Sequence, residues 1–301
     1  GVVPALNLLV RSFVSAGQRV IVQPPVYYPF YAAIANNGAD LARNPLLYAD
    51  GRYSIDFAGL EALASEPDVA MLILSSPHNP VGRVWTREEL QRLGEICLAH
   101  DVLVVADEIH GDLIYPDHRF TPYATLGAEF AQAAVVCTAP SKTFNLAGLA
   151  TSNIIIPNPE LRLRFERTLN STGLHGVNTF GMVALEAAYS EGEEWLAQVM
   201  DYIAGNFRTL REFVAQHLPQ IDVIAPEGTY LVWLDCRRLG LDKDALERLM
   251  LHEARVFLDE GAIFGVEGEG FERVNIACPR SILVEALQRI KAAVDSRPGV
   301  S

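Results

Sequence analysis

Lys142 stands directly after Ser141 in TAPSKTFNLAGL (138–149), between an apolar β-branched run, Ala134 to Cys137, and a loop of small residues. A lone loop lysine is ordinarily a solvated surface charge. At a strand end among small residues its ammonium loses hydration and its pKa falls. The neutral amine can then attack a carbonyl and form a Schiff base. Asp107 ends a second apolar run in ADEIHGD (106–112). A partly buried carboxylate there needs a cationic or protonated partner, the plainer readings being a helix N-cap or a structural ion pair. An amine and a carboxylate at neighbouring strand ends make a better nucleophile site than either residue alone.

Other residues could join them. Asn79 lies in the Pro-rich turn SSPHNPVG (75–82), where asparagine commonly only shapes the turn. Tyr27 and Tyr28, in PPVYYPF (24–30), would by default be packing residues. Arg280 follows Cys278-Pro279 and precedes a helix, where the bland reading is a solvated cation. GVVPAL (1–6) enters a helix whose first N–H groups, at Val2 and Val3, could receive a phosphate, as any helix start can.

The elements that must position these residues follow from the hydrophobic pattern. Val20–Gln23, Met71–Leu74, Val102–Ala106, Ala134–Cys137 and Asn153–Ile156 read as buried strands. The clearest intervening helix runs from Arg87 to His100, with Thr86 as N-cap and Glu89 completing a capping box. Alternating strands and helices predict an α/β fold, a mostly parallel sheet flanked by helices. Four of the motifs follow strand-like runs, and ligands of open α/β sheets bind at the strands' carboxyl ends. From residue 193 the character changes to a long helix (Glu193–His217), strands at 230–235 and 273–278, and helices at 243–254 and 282–294. We therefore expect a large domain over 1–192 and a smaller C-terminal α+β domain over 193–301. GVEGEGF (265–271) reads as a flexible surface loop.

Composition sets bounds. The formal charge of −13 argues against nucleic acid as a main partner. No apolar run reaches the roughly 18–20 residues that span a bilayer, so no membrane partner is expected. Cys97, Cys137, Cys236 and Cys278 are far apart, which fits buried free thiols in a reducing, cytoplasmic setting. The chain opens without methionine inside a helical pattern, from which we expect further residues upstream.

Taken in order, GVVPAL, PPVYYPFY, SSPHNPVGRVW, ADEIHGDL, TAPSKTFNLAGL, EGTYLVWLD and NIACPRS resemble the pyridoxal-phosphate enzymes of the aspartate-aminotransferase fold. The resemblance covers nearly the whole chain. Its nearest branch is the cystathionine β-lyase-like C–S lyases among the class I and II aminotransferases. It implies that Lys142 carries the pyridoxal 5'-phosphate cofactor and moves the Cα proton. It implies further that Asp107 keeps the pyridine nitrogen protonated, that Asn79 binds the phenolic oxygen and that Tyr27 stacks on the ring. The backbone at Val2 and Val3, with Ser141, would hold the phosphate, and Arg280 the substrate α-carboxylate. A homodimer with its active site at the interface is also implied.

There are departures from the aminotransferase pattern. His110 replaces a tyrosine three residues after the aspartate, and counts here among the cofactor-binding candidates. Leu149, Ala150 and Thr151 stand where a phosphate-neutralising arginine is usual. Ala139 replaces a serine, so Ser141 or Thr138 must do more. The implied reaction is β-elimination from cystathionine, cysteine or S-substituted cysteines to pyruvate, ammonia and a thiol. Transamination is the competing outcome of the same cofactor chemistry. A non-catalytic cofactor-binding regulator is the alternative of another class. A metal hydrolase built on Asp107, Glu108, His110, Asp112 and His118 lacks a helical ligand spacing, and no metal is expected.

Overall fold

The computed structural model describes residues 1–173 and 176–297, so 298–301, the end of the expected C-terminal domain, lie outside it. In chain order the strands are β1 (Arg19–Val22), β2 (Asp40–Arg43), β3 (Leu47–Ala49), β4 (Arg52–Ser54), β5 (Val69–Ser75) and β6 (Leu103–Asp107). They continue as β7 (Ala134–Thr138), β8 (Asn153–Ile155), β9 (Asp222–Ile224), β10 (Leu231–Asp235), β11 (Asp259–Glu260) and β12 (Phe271–Asn275). The main sheet has the order β2-β1-β5-β6-β7-β8 and is parallel except for β8, which runs antiparallel to β7.

Its central strands are apolar on both faces because both faces are covered. Leu72, Leu74, Val104, Ala106 and Val136 pack on one side with Leu60, Leu90 and Leu93. Met71, Ile73, Val105, Val135 and Cys137 pack on the other with Leu6, Leu9 and Phe30. The helix Arg87–Ala99 is capped as its sequence predicts, with the Thr86 hydroxyl accepting from the Glu89 N–H and the Glu89 carboxylate accepting from the Thr86 N–H. Thr86→Ala should therefore lower stability by about 1 kcal/mol, read as a shift in the urea midpoint.

The second sheet is antiparallel, in the order β11-β12-β10-β9. One face packs Val232, Leu234 and Val274 against Leu210 and Val214 of the long helix Glu193–His217, and against Leu283, Leu287 and Ile290. The other face turns Trp233 and Phe271, stacked at 5.3 Å, into the cluster under the main sheet. A buried ion pair adds to this join: Arg83 Nε donates to Glu227 Oε2 at 2.9 Å, and the same oxygen accepts from the Val84 N–H. Gly82, at φ +73°, lets Pro226 approach so closely that a Cβ there would lie 2.9 Å from the Pro226 Cα. The turn carrying Asn79 is thus fixed beside the segment that leads to Tyr230.

Several details differ from the sequence reading. The helix begun at Lys243 ends at Glu247 and continues as a π-helical stretch, Arg248–Glu253. Residues 265–271 reach the surface at Val266 and Glu269 but are packed elsewhere. Gly268 is buried so tightly that a Cβ there would lie 2.1 Å from the Gly261 oxygen, Glu267 pairs with Arg43, and Phe271 is in the core. Gly268 serves close packing, and Gly265 and Gly270 supply backbone turns at positive φ. Cys97, Cys137 and Cys236 are buried, Cys278 is partly so, and all four are free thiols.

Candidate active site

Register brings the motif loops together. Ser75 pairs with Asp107 and Asp107 with Cys137, so the segments leaving β5, β6 and β7 emerge side by side at the carboxyl edge of the sheet. A cavity of about 460 Å³ lies there, and Asn79, Asp107, His110, Ser141 and Lys142 face it. Tyr27 lines it from the segment after β1, and Val2 and Val3 from the start of the helix Val2–Phe13.

Asp107 is buried and accepts a hydrogen bond from the Ile109 N–H at 3.2 Å. Burial pushes its carboxyl up to about 7, while the Ile109 N–H and the Lys142 charge pull it down. Such a group is stabilised as an anion by a cationic N–H donor presented from the cavity. Lys142 sits in the short helix Pro140–Thr143, opened by Pro140. Burial lowers its pKa, the Arg273 charge lowers it further, and Asp107 opposes both. The amine therefore loses its proton more readily than a surface lysine, as a nucleophile requires. The next residue anchors it: Thr143 Oγ1 donates to Asp112 Oδ2 at 2.8 Å, and the Tyr189 hydroxyl donates to the same oxygen at 3.2 Å.

At the other end of the cavity the helix Val2–Phe13 starts without a side-chain cap. Its free N–H groups and positive end, beside Ser141 and Thr151, suit an anion. The cavity is thus built for a ligand that is anionic at one end and carries a basic nitrogen at the other.

Residues 1–290 match the family model for class I and II aminotransferases. The chain belongs to that family. Cystathionine beta-lyase PatB of Bacillus subtilis is 47% identical over 294 residues, covering 98% of this chain and 76% of PatB. The crystal structure of cystalysin from Treponema denticola, which contains a pyridoxal 5'-phosphate cofactor, superposes with a TM-score of 0.96. It is 43% identical, with 98% of this chain and 75% of that one covered. A PLP-bound C-S lyase from Staphylococcus hominis gives a TM-score of 0.92 at 34% identity, covering 99% of this chain and 77% of its own.

One expected residue of this class I/II aminotransferase site is placed elsewhere. Arg280 does not line the cavity: its Nε donates to Asn206 Oδ1 at 3.0 Å and its guanidinium lies 4.9 Å over the Tyr202 ring. Arg273 lines the cavity instead, donating from Nη1 to Asn79 Oδ1 at 2.7 Å and from Nη2 to Asp259 Oδ2 at 2.6 Å. Tyr230 and Asn275 also line it and were not singled out from sequence. The available signal was the alternation in RVNIAC, which puts Arg273 and Asn275 on one face of β12.

His110 is buried, its ring meeting Tyr230 edge-on at 5.9 Å, and within the described residues its Nδ1 has no hydrogen-bond partner. Burial, then the charges of Lys142 and Arg273, hold it neutral by pushing its pKa down to about 3. The remaining acidic candidates diverge from the cavity: Glu108 accepts the Tyr123 N–H at 2.6 Å, and Asp112 is engaged by Thr143.

Asp107 yields a pH prediction. Its folded pKa lies above the unfolded value, so its ionisation opposes folding: the penalty is absent below about pH 4 and complete above about pH 7. In cofactor-free protein, Asp107→Asn should stabilise the fold by up to about 2–4 kcal/mol at pH 8 and by nothing at pH 4. Thermal melts of both proteins at the two pH values measure it. An equal gain at both would show that ionisation is not the cause.

Proposed function

We propose that this chain is a pyridoxal-phosphate-dependent carbon–sulfur β-lyase, converting cystathionine, cysteine or other S-substituted cysteines to a thiol, pyruvate and ammonia. The observation that carries the reading is the convergence of the Lys142 amine and the buried Asp107 carboxyl on one cavity, in a chain 47% identical to a cystathionine beta-lyase.

The donor set fits the cofactor. Asp107 would hold the ring nitrogen with its proton, Lys142 the aldehyde carbon, and Asn79 the phenolic oxygen. Tyr27 would cover the ring, and Val2, Val3 and Ser141 would seat the phosphate. The partnerless Nδ1 of His110 would supply a further polar contact. When bound, pyridoxal phosphate supplies an electron sink for the pair left as the Cα–H bond breaks. Lys142 Nζ, which faces the same cavity, would take up that proton. Arg273 fits the substrate α-carboxylate, since its fork is already oriented by Asn79 and Asp259. This replaces Arg280 in that role.

We also propose a cytoplasmic homodimer with a large domain over 1–192 and a small one over 193–301. The helix Thr179–Glu191 supports the dimer, because Phe180, Met182, Val183 and Tyr189 on it are exposed and suit a second copy. Among the described residues no helix is long and apolar enough to cross a membrane.

The test supplies L-cystathionine to the cofactor-loaded enzyme without a keto acid. Sustained, stoichiometric release of pyruvate and thiol is expected. Turnover that stops after one equivalent and resumes only with a keto acid would replace this reading by aminotransferase.

A further inference from the structure

Asp112 does not line the cavity, yet it joins the two segments that carry Asp107 and Lys142. Where β6 and β7 end, the Glu108 N–H donates to the Cys137 carbonyl at 2.9 Å. Beyond that point, among the described residues, one hydrogen bond spans from 108–113 to 139–145. It is Thr143 Oγ1 donating to Asp112 Oδ2 at 2.8 Å. Asp107 and Asp112 sit at the two ends of one tight turn. The Gly111 N–H on the Glu108 carbonyl and the Leu113 N–H on the His110 carbonyl close it, both at 2.9 Å.

The helix holding Lys142, Pro140–Thr143, is a single turn, too short to persist without tertiary support. That support comes from the two residues after the lysine. Thr143 is buried and bound to the exposed Asp112. Phe144 meets the Tyr189 ring edge-on at 5.2 Å and the Trp195 ring at 5.9 Å. Gly192 admits that ring, since a Cβ there would lie 2.6 Å from Phe144 Cε1. Tyr189 serves both residues, because its hydroxyl also donates to Asp112 Oδ2, at 3.2 Å. One carboxylate oxygen thus gathers two hydroxyl donors around the Lys142 turn, and charge-assisted bonds of this kind are the strong ones.

We infer, on the reading of Lys142 as the cofactor lysine, that Asp112 is a positioning residue for it, setting where the amine stands relative to the Asp107 carboxyl. A cofactor held at its ring nitrogen by Asp107 and at its aldehyde carbon by Lys142 is rigid between those points. The span between the two side chains must match it, and a misplacement of about 1 Å can cost about 10²-fold in rate. The same tie keeps the amine in the part-buried place that lowers its pKa.

The first readout needs neither cofactor nor turnover. Cofactor-free protein is acetylated competitively between about pH 6 and 10, where lysines begin to lose their protons. Mass spectrometry follows each lysine, with Lys243 and Lys291 as internal references. Asp112→Ala and Thr143→Val should each move the midpoint of Lys142 labelling upward by about one pH unit, because the loosened amine regains water. Thr143→Val keeps the shape and removes only the hydroxyl, and the exposed Asp112 can turn to water, so the fold should survive. Thr143→Ser keeps the hydroxyl and should leave the midpoint within about 0.3 of its original place. In the loaded enzyme, kcat for pyruvate release should fall about 10–100-fold in Asp112→Ala and Thr143→Val, with KM within about threefold, and recover in Thr143→Ser. An unmoved Lys142 midpoint, or an undiminished kcat, in Asp112→Ala and Thr143→Val overturns the inference, even where Tm falls, because Asp112 would then be structural only. Equal effects in Thr143→Ser and Thr143→Val overturn it too, since volume and not the hydroxyl would be responsible. Wild-type enzyme that releases no pyruvate would remove the lyase reading instead, and the labelling of Lys142 would still decide the role of Asp112.

Discussion

Lys142→Ala should lower kcat for thiol release by at least about three orders of magnitude while leaving the fold intact. Two proposed functions would be lost together: the covalent hold on the cofactor, and the base that moves the Cα proton, alone worth about 10²–10⁴. Stability should not suffer. No hydrogen bond or ion pair from Lys142 Nζ occurs among the described contacts, and burial already lowers its pKa, so the charged amine gains little from the fold. The melting temperature should be unchanged or slightly raised. The chain has three lysines, Lys142, Lys243 and Lys291, which makes the covalent assignment direct to check. Lys291 pairs with Asp295 on the last helix, and Lys243 begins a helix of the second sheet's layer. Borohydride treatment of the loaded protein should fix the cofactor mass on the peptide holding Lys142 and on neither other. A variant keeping a tenth of its activity, or label on Lys243 or Lys291, would remove Lys142 from the mechanism.

Asp107 could be placed near the cavity from sequence because it ends an apolar run, and Lys142 because it follows one after four small residues. Strands covered on both faces write themselves as uninterrupted Val, Leu, Ile and Ala, so a charge at their carboxyl end stands out. Edge elements leave no such trace. β2 exposes Asp40 and Leu41, and the β3–β4 hairpin alternates exposed positions around the buried Tyr53. The one apolar run in 40–54, Leu46–Ala49, carries no β-branched residue and exposes Leu47, so it does not read as a buried strand. The 265–271 segment was missed for a different reason. Its glycines look like loop residues, and only the approach of Gly261, seven residues away in sequence, shows that Gly268 serves packing.

The two arginines separate sequence logic from fold logic, and their substitution should separate them in solution. Arg280 was attractive because Cys278-Pro279 delivers it to a helix start. The fold sends it behind the helix Glu193–His217 instead, where a Cβ on Gly205 would lie 2.4 Å from its Nη2. Arg273 looked like one polar position in a half-buried strand, yet it is held in the cavity by Asn79, Asp259 and a contact 4.7 Å over the Phe264 ring. A bidentate arginine–carboxylate contact in a partly buried site, once broken, costs about 2–5 kcal/mol. Arg273→Gln should accordingly reduce kcat/KM for S-substituted cysteines by about 10²–10³, chiefly through KM, because the contact forms on binding and persists to the transition state. Arg280→Gln should change it by less than about threefold, a fraction of one kcal/mol, since it removes only contacts with Asn206 and Tyr202. Arg273→Lys discriminates further: it keeps the charge but not the fork, and should recover only part of the loss. Melting temperatures of all three variants show whether the Asp259 pair has a structural share, which would appear in Arg273→Gln as a lower Tm with cofactor bound. A larger loss at Arg280 than at Arg273 would return the substrate carboxylate to the position that the sequence alone suggests.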